Sequence, residues 1–127
     1  HPSSWKAPVG YANGVAASGK TLYLGGLIGW NGQQEFESDD FVEQIAQTLQ
    51  NIKDVLQAGN ATPEHLVRMT WYITDKRDYL NNLKGIGKAY REIIGNHYPA
   101  MAMVQVAALI EDRAKVEIEA TAVVPHS

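Results

Sequence analysis

Residues 101–107 and 115–124 limit the folds open to this chain more than any other stretch. Pro99 and Ala100 lead into a β-prone run that puts Met101, Met103 and Gln105 on one face, and Glu117 and Glu119 share one face of the second run. Alternation with period two marks a strand whose two faces meet different surroundings. Both runs therefore read as strands. Taken alone, the alternation puts the two glutamates on a solvated face and the two methionines in core or interface packing, where adaptable thioethers fill irregular gaps.

Earlier in the chain, Lys20-Thr21-Leu22-Tyr23-Leu24 is another β-prone run, set between Ser18-Gly19 and Gly25-Gly26, and it is expected to pair with residues 10–16. Phe41, Val42, Ile45, Leu49, Ile52, Val55 and Leu56 recur every three to four residues, which predicts an amphipathic helix. Asp40 with Glu43 resembles a capping box, and Gly59 supplies the stop. Thr62-Pro63-Glu64 predicts a tight turn or a single helical turn. Beyond it Val67, Met69, Trp71 and Ile73 alternate with polar neighbours, a strand in which Trp71 is expected to be buried. Tyr79, Leu80, Leu83, Ile86, Tyr90, Ile93 and Ile94 form a second helical stripe that ends at Gly95. The order is ββαβαββ in a single domain, residues 1–127. Helices apolar on one side only imply an α+β fold, a sheet covered on one face by two helices. The other sheet face is then left over, and association of copies is the usual way to bury it.

Composition narrows the chemistry. A 127-residue chain with 45% hydrophobic content suits one core. Its net charge of −3 disfavours a general polyanion-binding surface, so nucleic acid is not an expected partner. The apolar stretch from Ala100 to Ile110 is far shorter than the roughly 20 residues of a bilayer span, and no membrane partner is expected. The chain has no cysteine, which removes thiolate chemistry, and its start lacks a basic region followed by an apolar signal core; the cytoplasm is the default expectation. His65 and His97 have no partner ligand at metal spacing, and Gly25-Gly26 and Gly85-x-Gly87 lack the trailing Lys-Ser/Thr of a phosphate loop, so no metal is expected. Trp30, beside Asn31-Gly32, falls in a loop where it either packs at an interface or stacks on a ligand.

The closing segment, with Pro99-Ala100 opening one strand and Ile118-Glu119-Ala120 in the other, resembles that of the RidA/YjgF family of reactive-intermediate deaminases, and the likeness spans residues 8–125. Gly10-Tyr11-Ala12-Asn13-Gly14 resembles a further family segment. The resemblance implies a chorismate-mutase-like fold, a homotrimer with small-molecule clefts between subunits, and a site free of metal and cofactor. It makes Tyr11 a cleft residue and Glu117 the group that positions the attacking water. Four other cleft positions depart from the family pattern: Met101 replaces its arginine, Met103 its cysteine, Gly25 its serine and Gly87 its asparagine.

A guanidinium grips a carboxylate with a planar fork, and a thioether has no such donor. The expected function is thus a RidA-like imine or enamine deaminase with altered substrate preference, using Tyr11 and Glu117 in a cleft where Glu117 neighbours the two methionines and Gly25, Trp30, Gly87, Met101, Met103 and Gln105 contact the substrate. Two alternatives stand beside it: a non-catalytic small-molecule-binding or regulatory trimer, and an endoribonuclease or translation inhibitor, which the acidic charge balance disfavours.

Overall fold

The computed structural model describes residues 1–126. Four strands, β1 (Lys20–Ile28), β2 (Leu66–Ile73), β3 (Ala100–Gln105) and β4 (Val116–Val124), form one sheet in the order β1-β4-β2-β3. β4 is antiparallel to both β1 and β2, while β2 and β3 run parallel. The last two strands are therefore not neighbours, because β2 lies between them. Helix α1 (Phe41–Ala58) follows β1, and α2 (Lys76–Leu80) and α3 (Leu83–Ile93) connect β2 to β3. The second helical stripe is thus broken at Asn81-Asn82. The Asn82 side chain donates to the Asp78 carbonyl at 2.7 Å, and α3 begins afresh behind it.

The expected strand at residues 10–16 does not form a ladder with β1. Its one bridge is parallel, Ala12 to Ala100 beside β3, and the Ala12 N–H donates to the Pro99 carbonyl at 3.0 Å. Tyr11 and Val15, separated by Asn13 and flanked by Gly10 and Gly14, make too thin an apolar face to hold a register. Pro63–His65 forms a single helical turn before β2, one of the two forms expected there.

One face of the sheet carries the core. Ile45, Leu49, Ile52 and Leu56 of α1 are fully buried together with Met69, Ile73, Val116 and Ile118. Asp40 caps α1, accepting from the Glu43 N–H at 3.0 Å, while the Glu43 carboxylate turns to the Ser38 hydroxyl and so completes only half of the expected box. Buried Gln44 ties this helix to the start of β4, donating to the Ser38 and Arg113 carbonyls at 3.0 and 2.9 Å and accepting from the Lys115 N–H at 2.9 Å. The opposite face carries Tyr72, Glu117 and Glu119, and the Tyr72 hydroxyl donates to Glu119 at 2.6 Å. Tyr23 is 83% exposed on β1. No helix is long and apolar enough to cross a membrane, among the described residues.

Candidate functional site

Cross-strand register decides which expected site residues can meet. Met101 pairs with Met69, and Met103 pairs with Trp71. Met69 and Trp71 pair in turn with Ala120 and Ile118 on the helix-covered face. Glu117 pairs with Tyr72 and so lies on the other face, because successive side chains along a strand point to opposite sides. The expectation that Glu117 neighbours the two methionines within one chain is therefore corrected: the sheet stands between them.

On the helix side, Tyr11, Gly87, Met101 and Met103 come together in the lining of a cavity of about 730 Å³, with Trp71, Tyr79, Leu83, Ile86, Tyr90, Arg91 and Tyr98. The local chain explains the arrangement. The Ala12–Pro99 hydrogen bond lays the segment before it against the start of β3 and leaves Tyr11 at the rim, 44% exposed. Tyr90 is stacked between Trp71, at 6.4 Å, and Tyr98, at 5.2 Å and 11° between planes. Its hydroxyl donates to the His97 carbonyl at 2.6 Å, and the His97 ring meets the Leu66 carbonyl at 2.7 Å, which fixes the loop behind the aromatic wall. Burial, with the neighbouring Tyr98, pushes the Tyr90 phenol pKa well above its usual 10.0. Tyr90 is thus a neutral wall residue at physiological pH.

Glu117 belongs to the open sheet face. β1 and β4 slip in register between Leu24 and Leu27, and Gly25 and Gly26 fill that irregularity. A Cβ at Gly26 would fall 2.5 Å from Glu117 Oε2, whereas one at Gly25 would meet nothing within 4 Å. Glycine at 26 gives the Glu117 carboxylate its place, and Gly25 leaves open space in the same bulge. The remaining expected residues go elsewhere. Trp30 packs on Phe36, 5.8 Å between ring centroids, outside the cavity lining. Gln105 accepts from the Lys76 N–H at 2.8 Å, at the start of α2.

Sequence reasoning missed Arg91 and undervalued Trp71. Arg91 is the charged residue of the cavity lining, and Trp71, 3% exposed, carries a buried indole nitrogen that finds no hydrogen-bond partner among the described residues. The readable signal for Arg91 was its place four residues after Gly87, on the same helix face. No group of three or more acidic, histidine or cysteine side chains capable of holding a metal occurs among the described residues.

Comparison with known proteins gives a consistent set of likenesses. The profile of the family described as endoribonuclease L-PSP matches residues 2–124. The structure of YyfB from Yersinia pestis, a protein of the conserved Rid family, superposes with a TM-score of 0.86 at 31% identity, covering 97% of this chain and 95% of that one. Escherichia coli TdcF with bound serine superposes with a TM-score of 0.69 at 32% identity, covering 92% and 90%. A 2-iminobutanoate/2-iminopropanoate deaminase of Dermatophagoides farinae is 29% identical over 118 residues, 92% of this chain and 88% of that one.

Proposed function

Because the chain belongs to the endoribonuclease L-PSP family, the group whose strand pattern is that of RidA/YjgF, we propose that it hydrolyses an imine or enamine with release of ammonia, in clefts built between copies of itself. One observation carries the reading: the cavity with Tyr11, Gly87, Met101 and Met103 and the bulge with Gly25 and Glu117 lie on opposite faces of one sheet. Two such half-sites complete each other only when the open face of one copy approaches the cavity of the next. A contact between unlike surfaces that repeats and closes makes a ring, and the resemblance implies a ring of three.

In such a cleft the cavity holds the body of the substrate and Glu117 faces the carbon of its C=N bond. Glu117 takes a proton from water as the oxygen attacks that carbon, and it returns a proton to the nitrogen. Collapse of the resulting carbinolamine expels ammonia and leaves a carbonyl, so water and imine account for every atom of the products. Tyr11, at the cavity rim, orients the substrate. The thioether at position 101 supports the altered preference, since it offers a small 2-imino acid no bidentate partner.

A second reading, a non-catalytic binder of apolar molecules, draws on the same aromatic walls and on Met101 and Met103. An RNA-cleaving reading has little support in a chain of 11 Lys and Arg against 14 Asp and Glu. The deciding experiment measures ammonia from 2-iminopropanoate and 2-iminobutanoate generated in situ. The native chain is expected to be slow, Met101→Arg faster and Glu117→Ala silent. Silence in all three, with ligand-dependent thermal stabilisation, would establish the binder instead.

A further inference from the structure

Position 101 carries a thioether, yet the cavity has its own cation. Arg91 stands one helical turn after Gly87 on α3, and a Cβ at Gly87 would lie 3.0 Å from the Arg91 guanidinium. Glycine at 87 leaves the room into which the guanidinium folds. The ion pairs among the described residues join Lys88 to Glu92 and Arg113 to Asp39, so Arg91 has none. A second donor lies in the same wall. Trp71 is 3% exposed and its indole N–H meets no acceptor among the described residues, whereas buried donors are nearly always satisfied. That N–H is itself shut off from the cavity surface, so the donor the wall presents is the unpaired guanidinium, beside the rings of Tyr79 and Tyr98. Its volume of about 730 Å³ in the single chain, before a neighbouring copy closes over it, leaves room for a ring-bearing ligand.

We propose that this cavity binds aromatic 2-oxo and 2-imino acids, with Arg91 taking the carboxylate that position 101 cannot and the aromatic ring packing against Tyr79, Tyr98 and Trp71. The carboxylate anchor then stands on α3 and not on β3. As the specificity of a deaminase this rests on the function proposed above; as a binding site it stands alone.

Phenylpyruvate, titrated calorimetrically into the native chain, tests the binding directly. Saturable binding is expected, about 10- to 100-fold weaker in Arg91→Gln and intermediate in Arg91→Lys, which keeps the charge without the planar fork. 4-Phenyl-2-butanone, which lacks the carboxylate, is expected to bind the native chain and Arg91→Gln alike. Trp71→Phe, which trims the aromatic wall, is expected to weaken phenylpyruvate and 3-phenylpropanoate alike. Equal phenylpyruvate affinity in native chain and Arg91→Gln, or no binding to a native chain with a cooperative melting curve, overturns the proposal. Ammonia release from 2-imino-3-phenylpropanoate separates the two ideas. Arg91-dependent binding without Glu117-dependent release removes the hydrolase and keeps the anchor. Glu117-dependent release indifferent to Arg91→Gln removes the anchor and keeps the hydrolase.

Discussion

Gln44 and Tyr90 are buried polar residues whose roles differ. Gln44 spends its whole amide on Ser38, Arg113 and Lys115, joining segments distant in sequence. Gln44→Leu leaves those backbone groups unmatched, and urea unfolding is expected to show a loss of about 2–4 kcal/mol. Tyr90 is held neutral by burial. A phenol whose pKa is raised in the folded state contributes stability that is complete below the unfolded value of 10.0 and is lost as pH climbs through the folded value. Stability is therefore expected to fall in the alkaline range above about 10, and Tyr90→Phe is expected to flatten that slope while costing about 1 kcal/mol at neutral pH through the lost bond to His97. Thermal melts at stepped pH read both effects. Neither role was legible beforehand: Gln44 sits on the apolar stripe of its helix but reads as a polar interruption, and Tyr90 reads simply as one more apolar position.

Elements were legible where periodicity was strong and unreadable where it was not. The stripe from Phe41 to Leu56 and the alternation around Trp71 predicted α1 and β2 nearly to the residue. Residues 10–16 misled because Tyr11 and Val15 alone, set among small residues, do not fix a register, and the break between α2 and α3 was hidden because the apolar stripe runs through Asn81-Asn82 without interruption. The site divided in the same way. Sequence placed Met101 and Met103 on one face but had no means of showing that β2 would separate β3 from β4 and put Glu117 behind the sheet. The bulge at Gly25-Gly26 yields its own prediction. Gly26→Ala brings a methyl against a flexible carboxylate, so stability is expected to change by less than about 1 kcal/mol while Glu117-dependent ammonia release drops several-fold. A loss of fold in that variant, seen by circular dichroism, would mean that the glycine serves the strand and not the carboxylate.

The assembled protein is expected to be a ring, and its open sheet face supplies the test. Tyr23 is 83% exposed and Val104 46% exposed, large apolar groups on a sheet that a monomer would leave to water. Tyr23→Asp is expected to shift sedimentation towards the monomer and to abolish ammonia release even though it touches neither Glu117 nor the cavity lining. A native chain that sediments as a monomer would sink the shared cleft. The division of the half-sites between two faces has a genetic corollary. A subunit crippled at Glu117 keeps a sound cavity, and one crippled at Tyr11 keeps a sound glutamate, so co-expression of the two dead alleles should restore partial activity through one intact cleft in each mixed ring. Alleles damaged in different half-sites would then complement each other, and a subunit damaged in one half-site would cost its ring only the single cleft that half helps to build.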